Sequence, residues 1–207
     1  MTPQAADEPV TVVAARRSKL TPEREREFFD AALYQIRECG YDALSMEGIA
    51  ASTKCSKSTL YRQWKTKPQF VAAALRALHS PRLAGIDTGS LAGDLRAAAR
   101  AAGERSDDDT KLVQALGHAV MQDPELRCAL HDALIEPERA AIKEMLRRAV
   151  DRGEIAADHP ALEFVPAQLL GMIRVRPVLE GRYADADYLV RYVDAALIPA
   201  LGLPEVT

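Results

Sequence analysis

The chain has 207 residues, of which 48% are hydrophobic, 28% charged and only 5% aromatic. This balance is that of a globular protein and excludes a chain that is disordered throughout. No apolar run reaches the roughly 18 to 20 residues that a membrane span needs, and the N-terminus lacks the apolar stretch of a secretory signal. We therefore expect a cytoplasmic protein that does not cross a membrane.

The charge of the chain is unevenly distributed. Residues 16–67 contain eleven Lys or Arg and seven Asp or Glu, so this segment carries +4. The net charge of the whole chain is −3, which leaves −7 on the other residues. A basic N-terminal quarter beside an acidic remainder is typical of a protein that contacts phosphates with one end only.

Helix formers dominate the composition and strand formers are few, which predicts an all-α fold. Residues 1–20 lack periodicity and are expected to form a flexible arm. The basic residues 16–19 of this arm either contact a phosphate or the minor groove, or belong to a solvated tail. The first helix is predicted to start after Thr21, an N-cap followed by Pro22, and to stop at Gly40.

Two short helices separated by a tight turn are predicted next. Ser45 caps the first, which runs to about Thr53, and Ser56 caps the second, which runs through Trp64. This arrangement is a helix-turn-helix. The alternative is a structural helical hairpin with a solvated basic face.

The rest of the chain is predicted to form further helices. Thr66 followed by Gln69 is a capping box that indicates a helix over residues 70–78. Later helices are expected at about 91–102, 110–122 and 123–152, from 158–160 onward, and from about 185. Pro137 lies inside the third of these, which is therefore either two helices or one bent helix.

In a helix-turn-helix the second helix lies in the major groove with its N-terminal residues at the base edges. We therefore expect Lys57, Ser58 and Thr59 to contact bases, because Lys donates to guanine and Thr meets the thymine methyl. Leu60 and Trp64 should face inward. Phosphate contacts are expected from Tyr61, Arg62, Lys65 and Lys67. Ser45, Lys54 and Ser56 complete the predicted DNA-binding set.

These residues resemble the TetR/AcrR family of regulators. The DNA-binding half of that family has Ile-Ala, four intervening residues, Val-Ser-Lys-Gly-Thr-Leu-Tyr, an aromatic residue and Lys-x-Lys. This chain has Ile49-Ala50, Cys55-Ser56-Lys57-Ser58-Thr59-Leu60-Tyr61, Trp64 and Lys65-Thr66-Lys67. The resemblance runs from about Thr21 to Leu75 and beyond that concerns helical plan and length.

Two positions depart from the family pattern. Lys54 replaces the turn glycine, and a non-glycine residue with φ above zero costs roughly 1 kcal/mol. Otherwise Lys54 adds a phosphate contact. Ser58 replaces the glycine that opens the reading helix, which puts the usual contact there in question.

The resemblance implies a helix-turn-helix DNA-binding domain at 21–67 and a larger helical ligand-binding and dimerisation domain at 68–207. It also implies a homodimer through about 160–180 and 185–201 that reads a palindromic operator in double-stranded DNA. A small-molecule effector would release this repressor from its operator. The alternative is a ligand-independent regulator or adaptor with the same DNA-binding head.

The candidate ligand contacts of the second half are His118, Met121, Met172, Arg174 and Arg176. The methionines are otherwise ordinary core residues, and histidines without metal-ligand spacing are more often surface or capping residues. Arg174 and Arg176 either face an anionic ligand or pair with acids such as Glu180 across the dimer interface.

The three cysteines, Cys39, Cys55 and Cys128, are odd in number and widely spaced. This spacing argues against disulfides and a zinc site, and predicts small buried hydrophobic residues. The sequence also lacks a Gly-rich phosphate loop, an HExxH motif and a nucleophile elbow. We therefore expect neither an enzyme nor a metal or cofactor site.

Overall fold

A computed structural model describes residues 20–78, 82–104 and 106–204, without the side chains of 78, 106–111, 113 and 114. The predicted N-terminal arm, apart from Leu20, lies outside these residues. The all-α prediction is confirmed, and no helix among the described residues is long and apolar enough to cross a bilayer. The helices are α1 (Pro22–Cys39), α2 (Met46–Ser52), α3 (Lys57–Gln63), α4 (Lys67–Leu78), α5 (Leu91–Gly103), α6 (Ser106–Gln122), α7 (Pro124–Leu130), α8 (Glu136–Asp151), α9 (Val165–Glu180), α10 (Ala186–Tyr192) and α11 (Ile198–Ala200).

Hydroxyl side chains begin the first three helices, as the sequence predicts. Thr21 Oγ1 accepts a hydrogen bond from the Arg24 amide at 3.3 Å, and Gly40, with a φ of 80°, ends α1. Ser45 and Ser56 cap α2 and α3 in the same way. The caps satisfy amides that have no partner within the helix, so these boundaries follow from local sequence.

Three helices begin at residues other than those predicted, and one of them is α6, which starts at Ser106 rather than at about residue 110. The structure starts α4 at Lys67, directly after the cap Thr66 and three residues before the predicted position. The helix predicted to start near Pro160 begins instead at Val165, after a 3₁₀ turn over Leu162–Phe164. Pro166 explains the late start, because a proline fits the first turn of a helix but removes a hydrogen bond further in.

Pro137 neither ends a helix nor separates two. A π-helical turn, His131–Ile135, joins α7 to α8 without a break, and Pro137 is the second residue of α8. The Glu136 amide donates to the His131 carbonyl, five residues back. A proline lacks an amide and crowds the carbonyl four residues earlier, and the wider turn accommodates this.

The first hydrophobic core surrounds Trp64, as predicted for this residue. Its indole is 7% exposed and packs against three rings, with centroid distances of 6.2 Å to Phe28, 5.3 Å to Phe29 and 4.9 Å to Phe70. Leu60 is fully buried in the same core. Four residues of α6 and α7 also belong to it: Leu112, Leu116, Ala119 and Leu126. The core of the DNA-binding head thus extends past residue 67, where we expected the domain boundary.

The second hydrophobic core is formed mainly by α5, α8, α9 and α10. Two of these helices, α5 and α10, approach each other closely, because a Cβ on Gly103 would collide with the backbone of Ala186. Only glycine permits this contact. In the second core, the backbones of α5 and α10 are therefore in direct contact.

An acidic side chain is buried at the start of α5. Asp94 is fully buried, and its Oδ1 accepts hydrogen bonds from the amide and the hydroxyl of Thr88, at 2.6 and 2.8 Å. Its Oδ2 lies 3.4 Å from Arg148 Nη2 and 3.9 Å from Arg152 Nη2. A buried carboxylate that loses such partners is strongly destabilising, so this cluster stabilises the contact between α5 and α8.

The prediction of buried cysteines is wrong. Cys39 and Cys128 are exposed and Cys55 is half-buried. Cys39 is the last residue of α1, and Cys128 lies on the side of α7 opposite the buried Leu126. Spacing along the sequence excluded disulfides but did not reveal which face of a helix each thiol occupies.

Candidate nucleic-acid interface and adjoining cavity

The turn between α2 and α3 is closed by two backbone hydrogen bonds. The Cys55 amide donates to the Ala50 carbonyl at 2.8 Å, and the Lys54 amide donates to the Ala51 carbonyl at 3.2 Å. This pair is a Schellman motif, which needs a left-handed residue where Lys54 stands. Lys54 has a φ of 51°, so the turn keeps the geometry that glycine favours.

Arg24 of α1 holds this turn in place, and sequence reasoning missed it. Its guanidinium donates to the Thr53 carbonyl and to the Glu27 carboxylate, and lies 4.9 Å from the centroid of Phe28. Thr53 itself is buried, and its hydroxyl donates to the Ile49 carbonyl at 2.6 Å. Because Arg24 and Thr53 are 29 residues apart, no local pattern could have indicated this contact.

The first turn of α3 presents a cluster of hydroxyls. Ser56 Oγ lies 3.0 Å from Ser58 Oγ and 2.8 Å from Thr59 Oγ1, and it also accepts the Thr59 amide. Lys57 and Ser58 are exposed, and Thr59 is half-buried. The cluster therefore puts several donors and acceptors at the helix end that meets base edges in a helix-turn-helix.

Glu47 lies on the same face and was not among the predicted site residues. Lys57 Nζ is 3.6 Å from Glu47 Oε1, and the Tyr61 hydroxyl donates to that oxygen at 3.4 Å. A hydrogen bond from the backbone and then the charge of Lys57 hold the pKa of Glu47 below its usual value. A carboxylate that stays charged thus links α2 to α3 at the centre of a basic surface.

The other predicted DNA contacts of this module are on the surface. Arg62 and Lys65 are both exposed, and within the described part of the chain neither the guanidinium of Arg62 nor the ammonium of Lys65 forms an ion pair. Exposed side chains of the predicted set are Ser45, Lys54, Ser56, Lys57, Ser58, Tyr61, Arg62 and Lys65.

Lys67 differs from this set. Its side chain is half-buried, and its Nζ lies 4.0 Å from the centroid of the Tyr41 ring. Burial lowers the pKa of Lys67, against the opposing effect of nearby Asp42 and Asp123. Lys67 is thus set apart from the exposed residues by a cation–π contact of its ammonium inside the chain, and its phosphate contact stays a prediction.

The N-terminus of α7 is bonded to the base of the helix-turn-helix. Asp123, which caps α7, accepts a hydrogen bond from the Tyr41 hydroxyl at 3.4 Å. Glu125 accepts one from the Thr66 hydroxyl, the cap of α4, at 2.6 Å. The loop before α2 and the start of α4 are thereby both attached to α7.

A cavity of about 800 Å³ lies beside these contacts, between α4, α6, α7, α8 and α9. This volume is within the range of about 300 to 1,000 Å³ that small-molecule sites have. Most of its lining is aliphatic, including Leu116 and Val120 of α6. The charged or titratable lining residues are Arg76, Arg82, Arg127, His131, Asp132, Glu138 and Arg174.

Among the five predicted ligand contacts, the structure brings only Arg174 to this cavity. His118 and Met121 are exposed on the outer side of α6, and Met121 is 75% exposed. Met172 packs against the second core instead. On α6, Leu116 and Val120 line the cavity, so His118 and Met121, one or two positions away, point elsewhere.

Arg176, the fifth candidate, is buried away from the cavity. Its Nε donates to Glu180 at 3.1 Å, its Nη1 donates to the Tyr183 carbonyl at 2.7 Å, and its guanidinium stacks 3.6 Å from the centroid of Tyr188. Of the two roles left open, acid pairing is the one observed, but with Glu180 of its own helix. Arg176 therefore joins the end of α9 to α10.

An apolar surface is exposed on α9 and just before it. Val178 is 80% exposed, Leu179 73% and Phe164 52%. The opposite side of α9 buries Val165 and Leu169 in the second core. A helix with two apolar sides, one buried in the core and the other exposed to solvent, is typical of a protein interface.

The helix-turn-helix with its basic reading helix, the all-helical body and the adjoining cavity define a DNA-binding transcriptional regulator. Residues 28–74 match the family model for bacterial regulatory proteins of the tetR family, and residues 86–196 match the tetracyclin repressor-like C-terminal domain. The chain belongs to the TetR family. It is therefore a regulator and not an enzyme.

Known relatives agree with this assignment. The chain is 30% identical over 196 residues to an uncharacterized HTH-type transcriptional regulator of Mycobacterium tuberculosis, which covers 93% of this chain and 96% of the relative. It is 33% identical over 175 residues to the DNA-binding transcriptional repressor TetR of Mycobacteroides abscessus, with 81% and 88% covered. A crystal structure of a TetR family transcription regulator has a TM-score of 0.65 and 25% identity, with 88% and 100% covered.

Proposed function

We propose that this chain is a cytoplasmic homodimeric repressor that leaves a palindromic operator when a small molecule fills the cavity. The observation that carries the proposal is the position of α7. Its first residues hold Tyr41 and Thr66 at the base of the helix-turn-helix, and its last residues line the cavity. One short helix is therefore in contact with both places.

The DNA contacts proposed for the reading helix follow its exposure. Lys57, Ser58 and Thr59 contact bases from the first turn of α3, where the short side chains of Ser58 and Thr59 let the backbone come close and the long side chain of Lys57 reaches a guanine edge. Tyr61 and Arg62 contact phosphates and set the register. Phosphate contacts are also proposed for Lys54 and Lys65, while Ser45 and Ser56 support the helix ends.

The dimer proposed here forms through about residues 160–180 and 185–201. The exposed Val178 and Leu179 of α9 would be covered by a second copy, because an isolated monomer rarely leaves such side chains together in water. Two heads related by two-fold symmetry would then meet half-sites roughly 34 to 36 Å apart.

Release requires that the cavity and the heads share one element with two positions. A ligand that shifts α7 relative to α4 would strain the hydrogen bonds from Tyr41 to Asp123 and from Thr66 to Glu125. The spacing of the two heads would then no longer fit the two half-sites.

Operator binding is tested by fluorescence anisotropy with DNA from upstream of the gene. We expect salt-dependent, sequence-selective binding, and the loss of one phosphate contact in Arg62→Gln should lower the log–log salt slope by about 0.9. Lys57→Ala and Thr59→Ala should change the sequence preference instead. Arg100→Gln, an exposed arginine on α5 outside the proposed dimer interface, is the control that should change neither. Binding that is insensitive to salt or sequence contradicts the proposal.

Release is tested without a ligand by filling the cavity from inside. Ala133 is buried and lines the cavity, so Ala133→Phe should weaken operator binding as an effector would. Combining it with Tyr41→Phe and Thr66→Val should restore much of the affinity, because the link through α7 is then cut. Ala140→Phe, exposed on α8, is the matched control. A folded, dimeric Ala133→Phe variant with unchanged operator affinity would count against release through the cavity.

A further inference from the structure

The cavity lining has a chemical character that the family assignment does not define. Of its 22 lining residues in the described part of the chain, none is Phe, Tyr or Trp. Leu, Ile, Val and Ala line most of the wall, including Leu75 and Leu130 on either side of the contact between α4 and α7. Apart from the imidazole of His131, the described lining residues offer no ring to stack on a planar aromatic ligand, and none of the rings that would surround a quaternary ammonium.

The charged groups of the cavity favour an anion. Four arginines line it, against Asp132 and Glu138. Glu138 is already engaged, because its two carboxylate oxygens accept the amides of Arg82 and Leu83 at 3.0 and 3.2 Å. Asp132 points to solvent beside His131, with a contact of 3.1 Å between Asp132 Oδ1 and His131 Nδ1.

Two of the four arginines are available to a ligand. In the part of the chain that the structure describes, the guanidinium groups of Arg76 and Arg127 make no hydrogen bond or ion pair, and both residues are exposed where they line the cavity. Arg76 belongs to α4 and Arg127 to α7, the two helices whose relative position we connect with operator binding. A guanidinium binds carboxylate or phosphate through two parallel hydrogen bonds.

We propose that the cavity binds a flexible aliphatic chain with an anionic head group, held at its head by Arg76 and Arg127 and along its chain by the aliphatic wall. This proposal rests on the proposed function and specifies the class of effector. The anionic head group would bind one arginine of α4 and one of α7, and so give the two helices a new common partner. A purely apolar ligand would not do this, which explains why the anionic ligand would act on the DNA-binding domain.

The test is isothermal titration calorimetry of the full chain with probes below their micelle concentrations. Octanoate and decanoate vary the chain length, decanol removes the charge, and decyl phosphate changes the head group. Decyltrimethylammonium and naringenin represent cationic and aromatic ligands. We expect one decanoate per chain, bound about fifteen-fold more tightly than octanoate because two more methylenes are buried. Decanol should bind more weakly than decanoate, and tighter binding of decyl phosphate than of decanoate would identify a phosphate head.

Substitutions in the protein distinguish binding of the ligand's anionic head group from binding of its aliphatic chain. Arg76→Gln and Arg127→Gln should lose the preference for decanoate over decanol and keep the dependence on the length of the aliphatic chain, whereas the exposed Arg100→Gln on α5 should keep both. Tighter binding of naringenin or decyltrimethylammonium than of decanoate overturns the inference. Affinity independent of chain length, a preference that survives both arginine substitutions, or no binding of any anionic probe would overturn it equally.

The same samples are then tested for operator release by anisotropy. If decanoate binds but the operator complex persists, the ligand class stands and the release mechanism fails. If no anionic probe binds but Ala133→Phe still releases the operator, the ligand class fails and the release mechanism stands.

Discussion

Replacing Lys54 by glycine should stabilise the protein and weaken its binding to DNA at the same time. Lys54 occupies the left-handed position of the Schellman motif between α2 and α3, with a φ of 51°. A left-handed L-residue costs about 1 to 2 kcal/mol relative to its preferred conformation. Glycine removes this cost but loses about 0.5 to 1 kcal/mol more through the greater freedom of the unfolded chain.

The net gain in the free energy of unfolding is therefore about 0 to 1.5 kcal/mol for Lys54→Gly, with a central value of about 0.75 kcal/mol. The side chain itself contributes little to folding, since Lys54 is exposed and makes no ion pair within the described residues. Urea unfolding followed by circular dichroism measures the gain as a shift of the midpoint, about 0.3 M for a slope near 2 to 3 kcal/mol per M. The protein concentration has to be equal for all variants, because dissociation contributes to the apparent stability of a dimer.

Lys54→Ala is the matched control, because it removes the same charge but leaves a Cβ in the left-handed position. If Lys54 contacts a phosphate, both variants should lower the salt slope of operator binding by about 0.9, but only the glycine variant should be more stable than the parent. Equal stability of the glycine and alanine variants would refute the assignment of strain at this position. An unchanged salt slope in both would remove Lys54 from the proposed phosphate contacts.

Three further substitutions test the packing. Trp64→Ala should lower the free energy of unfolding by about 3 to 5 kcal/mol. Circular dichroism measures the loss, because this variant has no tryptophan left for fluorescence. A loss below about 1 kcal/mol would contradict the role of the ring cluster. Asp94→Asn should cost about 1 to 3 kcal/mol, because it removes the buried charge that accepts from Arg148 and leaves the amide group of the new side chain without a matching acceptor. The exposed Asp87→Asn should cost far less, and equal effects would argue against the buried cluster. Gly103→Ala should cost about 1 to 3 kcal/mol because its Cβ meets the backbone of Ala186, and a neutral result would show that α10 moves away easily.

The helix-turn-helix could be predicted almost completely from the sequence. Its caps, Ser45 and Ser56, bond to amides three residues later, and its turn closes through backbone bonds within five residues. Trp64 and Leu60 repeat at a helical spacing that turns both inward. Interactions over such short separations depend on residue type and order alone, so a local pattern is enough to predict them.

Other features depend on which distant segments come together. Lys67 is of a residue type that commonly contacts phosphate, but the tertiary structure brings the ring of Tyr41 against its ammonium. Met121 is as apolar as a core residue and is exposed, while Arg176 is charged and is buried against Glu180 and Tyr188. Helical periodicity defines the faces of a helix but not which face a neighbouring helix covers.

The cavity shows this difference most clearly. The sequence by itself determined the helices, their caps and the basic reading module, because these rest on bonds within one turn and on the order of side chains. Only the tertiary structure decided that α4, α6, α7, α8 and α9 leave a space between them and that Arg76 and Arg127 both line it. Empty volume is a property of the packing of separate helices, whose contacts join residues dozens of positions apart, and no local sequence signal encodes it.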